Sequence, residues 1–269
     1  MVSSGTDKNT KSDAHFNLGF EESQAPYTSA PQLARVWTED WVERWVYCPN
    51  CGGRRLNRFG NNNPGADFYC ASCSEIFELK SKKGKFGGRI VDGAFRVLSD
   101  RVATGQNPNL ALLNYNLAER SVVNLCIVPK QFFVADIIEQ RRPLGPTAKR
   151  AGWVGCNIRL NRIPEIGKVF LVKNGETQST NDVLGQWQKT LFLREQSYEA
   201  RGWLLEVMSC CQAIGQRDFS LEAVYQFEPR LAAIYPGNKH IRQKIRQQLQ
   251  VLRDNGILEF KGRGEYRLR

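Results

Sequence analysis

No stretch of this 269-residue chain is apolar for long enough to span a bilayer, and no charged-then-apolar segment opens it. A soluble cytoplasmic protein with no membrane partner is therefore expected. Acidic residues are in short supply: 27 Asp and Glu face 38 Lys and Arg, a formal net charge of +11. That imbalance suits an anionic partner, either nucleic acid or an anionic membrane surface, and charge alone does not separate the two. A secreted disulfide framework is also missing. Four of the eight cysteines sit in two Cys-x-x-Cys pairs, while Cys126, Cys156, Cys210 and Cys211 are scattered among apolar residues.

The length admits two domains of ordinary size, each with its own core. Residues 1–30 are rich in Ser, Thr, Asn, Asp and Lys without sustained periodicity, so a mobile tail is expected there. Trp37, Trp41 and Trp45 recur every four residues and predict a helical face, with Thr38 as its cap and Glu39 and Asp40 in its first turn. Beyond the cysteines, β-rich runs at 109–115, 122–128 and 168–172 alternate with candidate helices at 93–102 and 134–140. A loop and helix over 177–193 close this part. The alternation predicts a mixed α/β domain over 31–195.

Residues 196–269 have a different rhythm. Helices are expected at 202–214, from a Ser220 cap to 227, and from an Asn238 cap to 254, where Gly256 stops the helix. Two short strands around the glycine turn at 261–264 follow. Three helices and a hairpin describe a winged helix-turn-helix.

Cys48-Pro-Asn-Cys51 and Cys70-Ala-Ser-Cys73 supply four thiolates at zinc-knuckle spacing, enough to close a tetrahedron around one Zn²⁺. The competing reading is a redox pair or two disulfides, which a cytosolic setting disfavours. Four sulfurs leave no open coordination position, so the zinc is expected to be structural.

Asp67 lies between the knuckles, and Phe77-Glu78-Leu79-Lys80 follows them. At a period of two, Glu78 and Lys80 share one strand face, and Asp67 on the preceding strand can meet it across a hairpin. Two carboxylates and an ammonium around one point suit metal-assisted phosphodiester hydrolysis. Thr38-Glu-Asp-Trp-Val42, Tyr47-Cys-Pro-Asn-Cys-Gly52, Ala66-Asp-Phe-Tyr-Cys70 and Phe77-Glu-Leu-Lys-Ser-Lys-Lys-Gly84 occur in order. Later blocks include Val128-Pro-Lys-Gln-Phe132 and Pro146-Thr-Ala-Lys-Arg-Ala-Gly-Trp153. Together they resemble the DpnI-like methyl-directed (type IIM) restriction endonucleases of the PD-(D/E)xK superfamily, over roughly residues 34–269. The chain departs from that pattern in a longer N-terminal stretch and in Gly65-Ala66 before Asp67, where the superfamily name leads one to expect proline.

The resemblance implies an α/β nuclease domain of the PD-(D/E)xK restriction-endonuclease-like fold, with an embedded four-cysteine zinc site, joined to a winged helix. It implies a bacterial or phage-encoded protein, monomeric in solution, that cuts both strands of duplex DNA at adenine-methylated GATC sites with Mg²⁺. Asp67, Glu78 and the Leu79 carbonyl would hold the Mg²⁺, and Lys80 would orient or help deprotonate the attacking water. Lys82 and Lys83 are candidate phosphate contacts. Lys149, Arg150 and Trp153 are candidates beside the methyl group, with an ordinary core role as the alternative for Trp153.

On the long C-terminal helix, Ile241, Ile245, Leu249 and Leu252 form a core face. Arg242, Gln243, Arg246, Gln247 and Gln250 are left for a major groove, and Lys261 and Arg263 for the wing. From Asn238 onward nine Lys and Arg face three Asp and Glu, which favours DNA over a merely solvated face. A zinc-containing winged-helix regulator that binds DNA and cuts nothing is the alternative from another class. The set Asp67, Glu78 and Lys80 distinguishes the two.

Overall fold

The computed structural model describes residues 16–21, 29–60 and 65–269. Helix α1 (Ala30–Trp45) carries Trp41 and Val42 into the interior and leads into the first cysteine pair. Strands β1 (Asn57–Arg58), β2 (Phe68–Tyr69), β3 (Ile76–Lys83) and β4 (Ile90–Ala94) precede helix α2 (Phe95–Ala103). Then come β5 (Asn109–Asn116), β6 (Ser121–Val128), β7 (Ile138–Gln140), β8 (Gly155–Ile158), β9 (Val169–Lys173), β10 (Glu176–Thr177) and helix α3 (Thr180–Gln188).

Among the described residues, seven strands form a mixed sheet in the order β1-β2-β3-β5-β6-β9-β10, in which β3 and β5 run parallel and all other neighbours antiparallel. A smaller sheet has the order β4-β8-β7. Strand β5 is buried almost throughout because both its faces are covered. Its Ala111, Leu113 and Tyr115 join Trp41, Phe68 and Phe77 in one core, while Leu110 and Leu112 join Ile90, Ile138 and Ile158 in the other. The large sheet thus separates the α1 and cysteine layer from the small sheet.

The C-terminal part comprises α4 (Tyr198–Ala213), β11 (Asp218–Ser220), α5 (Leu221–Tyr225), α6 (Glu228–Ile234), α7 (Ile241–Asp254), β12 (Leu258–Gly262) and β13 (Glu265–Leu268). The wing is a three-stranded sheet, β11-β13-β12, around a turn with positive φ at Gly262, Arg263 and Gly264. Ile245, Leu249 and Leu252 of α7 are fully buried, as the helical spacing predicts. This core is continuous with that of the small sheet. An ion-pair chain also crosses the junction: Asp136 with Arg159 and Arg162, Arg162 with Glu206 at 3.5 Å, and Glu206 with Arg230 at 2.7 Å. No helix among the described residues is long and apolar enough to cross a membrane.

Several expected boundaries are corrected. Helix α1 starts at Ala30 with proline in its first turn, so Thr38 is not its cap. Thr38 is buried within the helix, its hydroxyl donating to the Ala34 carbonyl at 2.9 Å and lying 3.1 Å from Ser81 Oγ. The tryptophan period marked the buried face but carried no information about where the helix began. At 134–140 the helix gives way to a short 3₁₀ turn (Ala135–Ile137) and β7. Asn238 lies before α7, which begins after His240, and its side chain accepts from the His240 N–H at 2.8 Å.

The mobile tail expected over 1–30 does not describe residues 16–21. Phe16 is buried and stacks on Trp41 and Tyr47, Phe20 lies against Trp37 and Tyr115, and Gly19 bridges to Ser121 at the sheet. Two phenylalanines finding apolar partners is what a composition average over thirty residues conceals. Residues 1–15 and 22–28 of that stretch lie outside the described residues.

Candidate metal centre and catalytic pocket

The two cysteine pairs adopt matching turns. In the first, the Gly52 N–H returns to the Cys48 carbonyl at 2.8 Å; in the second, Ser74 N–H returns to the Cys70 carbonyl at 2.8 Å. Gly52 and Ser74 both have positive φ, so each turn curls its two thiols toward one point. The four Sγ atoms lie within 4.8 Å of one another, with Cys48–Cys73 at 3.6 Å and Cys51–Cys70 at 3.5 Å. A tetrahedral site with Zn–S bonds of about 2.3 Å needs sulfurs about 3.8 Å apart, so this cluster fits zinc. A Cβ at Gly53 would stand 3.3 Å from the sulfurs of Cys51 and Cys70, which explains the absence of a side chain there. Helix α3 braces the first turn through Trp187, whose indole N–H donates to Asn50 Oδ1 at 2.8 Å.

The second turn feeds directly into the acidic strand. Phe68 pairs with Phe77 and Tyr69 with Ile76, and the Asp67 N–H donates to the Phe77 carbonyl at 2.8 Å. Strand β2 begins only at Phe68, so the next hydrogen-bonding edge position of β3 meets a side chain: the Leu79 N–H donates to Asp67 Oδ2 at 2.7 Å. Within a strand the N–H and C=O of one residue share an edge, so the Leu79 carbonyl faces the same side as the Asp67 carboxylate. Lys80 Nζ lies 2.6 Å from Glu78 Oε1. Asp67, Glu78, Leu79 and Lys80 all line one cavity of ≈ 610 Å³.

Two carboxylates that the sequence reading left out also belong here. Asp92, from β4 of the small sheet, is almost buried and lies 2.7 Å from Lys80 Nζ. Glu39 on α1 is buried, lines the same cavity, and pairs with Arg35 at 2.5 Å and with Arg58. The helix-start reading of Glu39 fails because α1 begins nine residues earlier. The signal that could have found it was its place beside the tryptophan stripe.

The charges are strongly coupled. Burial raises the Glu78 carboxyl above its ordinary range, against the pull of Lys80, and the charge of Asp92 adds to the rise. For Lys80, burial alone would lower the ammonium, but Glu78 and Asp92 outweigh it and hold it well above the usual lysine range. Asp67, Glu78 and Leu79 line one cavity, and their carboxylate and carbonyl oxygens are the hard donors that Mg²⁺ takes. Soft sulfur and hard oxygen are thus sorted into two adjacent centres.

With these two centres described, comparison with known families is decisive. Residues 14–196 match the DpnI model, described as the Dam-replacing family, and residues 199–268 match its companion, the Dam-replacing HTH domain. The chain belongs to the Dam-replacing family.

Membership in the Dam-replacing family supports a methyl-dependent restriction endonuclease as the general class, and the C-terminal match supports DNA binding. The candidate DNA-contact residues are distributed over both matched parts of the chain. Lys82 and Lys83 are exposed at the end of β3, and Lys82 lines the cavity shared by Asp67, Glu78 and Lys80. Lys149 and Arg150 are exposed on the loop joining β7 to β8, and Trp153 is half-buried there, outside the core, with the Arg150 guanidinium 5.0 Å from its ring centroid. Arg242, Gln243, Arg246, Gln247 and Gln250 are exposed on α7, and Lys261 and Arg263 on the wing. Besides Arg150 over Trp153, three of these cations have ion-pair or hydrogen-bond partners: Arg242 pairs with Glu228 at 2.7 Å, Lys261 with Glu259 at 3.3 Å, and Arg246 donates to the Tyr225 hydroxyl.

Proposed function

We propose that this protein is a Mg²⁺-dependent, methyl-directed type II endonuclease that hydrolyses both strands of duplex DNA at adenine-methylated GATC sites, acting as a monomer in solution. The observation that carries the chemistry is the convergence of Asp67, Glu78 and Lys80 on one cavity. GATC and the methyl requirement follow from family likeness.

Asp67 and Glu78, with the Leu79 carbonyl, would hold the Mg²⁺, which when bound acidifies an attacking water and neutralises charge on the scissile phosphate. Lys80 is held as a cation between two carboxylates, so its work is to orient that water and stabilise charge on the pentavalent phosphorus. In-line attack would leave a 5′-phosphate and a 3′-hydroxyl. Lys82 and Lys83 continue from the same strand toward the DNA backbone. The zinc keeps β2 and β3 in register and takes no part in the chemistry.

An adenine N-methyl group projects into the major groove, where apolar contact can read it. One such contact is worth about 1 to 3 kcal/mol, roughly ten- to two-hundred-fold. Two readers sharpen that: α7 with Arg242, Gln243, Arg246, Gln247 and Gln250, supported by Lys261 and Arg263 on the wing, and the nuclease domain with Lys149, Arg150 and Trp153. The test is digestion, with Mg²⁺, of one plasmid prepared with and without adenine methylation, followed by sequencing of the ends. Cutting confined to the methylated plasmid at GATC is expected. Equal cutting of both removes methyl dependence, and DNA binding with no cutting at all leaves a zinc-containing winged-helix regulator.

A further inference from the structure

Both oxygens of one buried carboxylate are taken by arginines. Glu39 Oε1 accepts from Arg35 Nε at 2.5 Å, and Glu39 Oε2 accepts from Arg58 Nη2. The Glu39 side chain is 6% exposed, whereas that of Arg35, one turn earlier on α1, is 69% exposed. Arg58 comes from β1, where it pairs with Phe68, the residue after Asp67. Its neighbour Phe59 donates its N–H to the Asp67 carbonyl at 2.9 Å. The Thr38 hydroxyl lies 3.1 Å from Ser81 Oγ, which docks this turn of α1 on β3. Glu39 is thus fixed relative to both segments that carry Asp67, Glu78 and Lys80. Arg35 and Glu39 line the same cavity as those three.

Helix stability does not account for this group. An ion pair at i, i+4 supports a helix best with the acid on the N-terminal side, the reverse of Arg35 and Glu39. Glu39 also stands mid-helix, beyond the first turn where the helix dipole favours an acid. Burying it costs desolvation and adds a further anion to a cavity that already holds Asp67 and Glu78. One arginine would only neutralise that charge. Two give the trio a net positive charge, the sign that draws a phosphate in. Arg35 spends Nε on Glu39 and Arg58 spends Nη2. Among the described residues, both Nη groups of Arg35 and Nη1 of Arg58 therefore have no protein partner. The donors left over are those that take phosphate oxygens in pairs.

We propose that Arg35 and Arg58 clamp a DNA phosphate next to the one that is cut, on the same strand, and that Glu39 is the positioning residue that aims both guanidiniums. Glu39 holds no metal and touches no reacting atom. Its work is done through the arginines, which fix the strand so that the scissile phosphate meets Asp67, Glu78 and Lys80 in line. This inference rests on the reading of the protein as a DNA nuclease and concerns the backbone alone, with no part in choosing bases.

The test measures single-turnover cutting of an adenine-methylated duplex by the full chain and by Arg35→Ala, Arg58→Ala and Glu39→Gln, over a salt series. Each protein is also given duplexes in which one phosphate at a time is a neutral methylphosphonate. In wild type, one neutralised phosphate beside the cut is expected to slow cutting roughly ten- to hundred-fold, the worth of charge-assisted hydrogen bonds. Arg35→Ala, at an exposed position, should lose about as much on the native duplex and nothing further at that phosphate. Its salt slope should fall by about 1. Arg58→Ala should behave in the same way. Glu39→Gln keeps the size but releases both arginines, so sensitivity at that phosphate should go while the Mg²⁺ midpoint stays at its wild-type value. Wild-type sensitivity at every phosphate in Arg35→Ala would overturn the inference, whether or not Glu39→Gln folds. A raised Mg²⁺ midpoint in Glu39→Gln with phosphate sensitivity intact would overturn it too, by making Glu39 a metal ligand. Affinity for the same duplexes, with Ca²⁺ in place of Mg²⁺, needs no cutting. A wild-type protein that cuts nothing yet loses affinity at one phosphate, and only when Arg35 is present, keeps the clamp and sinks the nuclease reading alone.

Discussion

Lys80 Nζ lies 2.7 Å from Asp92 Oδ1, so strand β3 and the small sheet are tied together by an ion pair beside the cavity that Lys80 lines. Glu78 is the other partner of the same ammonium, at 2.6 Å. Once Glu78 is given to a metal, Asp92 is the anion that keeps Lys80 in place. Asp92→Ala is therefore expected to slow single-turnover cutting by about a hundred-fold, the usual penalty for a catalytic group misplaced by about an ångström. DNA affinity should hold, and Asp92→Asn, which keeps an acceptor oxygen, should fall between. Unchanged cutting in both variants would show that Lys80 needs no such anchor.

The zinc centre makes a prediction about folding. Structural zinc contributes on the order of 10 kcal/mol in small domains, comparable to the whole net stability of a chain. Cys70 is both a member of the four-cysteine cluster that could hold zinc and the residue that follows β2. Cys70→Ser, or a strong chelator, is expected to remove zinc, lower the unfolding midpoint and abolish cutting together. Metal analysis and a denaturant titration on one sample check this; full activity at zero zinc would contradict it.

Asp136 anchors the ion-pair chain between the nuclease and winged-helix parts. Burial alone would raise its carboxyl, but hydrogen bonding and charge from Arg162, with the charge of Arg159, bring it below the ordinary range. A depressed carboxyl stabilises the fold fully above its unfolded value near about pH 4 and loses that contribution as pH falls through the folded value. Asp136→Asn should cost about 1 to 3 kcal/mol at neutral pH, and the gap to wild type should close on acidification. Urea titrations at several pH values report both.

On the wing, Lys261 and Arg263 are exposed beside a turn that only a hairpin tip would tolerate. If both meet phosphates, their double alanine variant should weaken binding to methylated and unmethylated duplex alike. It should also reduce the slope of log affinity against log salt by about 2. A change in sequence preference with an unchanged slope would instead make them base contacts.

Legibility in the sequence followed locality. The clustering of the four cysteines, the Glu78 and Lys80 face and the buried stripe of α7 each depend on spacing within one turn, strand or helix, and each stands in the structure as the spacing implies. Asp92 was not legible because a different sheet delivers it, and nothing in Val91-Asp92-Gly93 announces a partner twelve residues back. Glu39 was hidden by a misplaced helix start, since an acidic residue in a first turn needs no further explanation. Phe16 and Phe20 were masked by polar neighbours, although two aromatics four residues apart were the available sign of packing.

The most direct measurement compares wild type with Glu78→Ala on an adenine-methylated duplex in Mg²⁺, reading strand scission and binding in the same reaction. Wild type should cut both strands, leaving 5′-phosphates, while Glu78→Ala binds as tightly, retains its zinc and leaves both strands whole. Cutting by Glu78→Ala at the wild-type rate would place the chemistry somewhere other than the cavity of Asp67, Glu78 and Lys80.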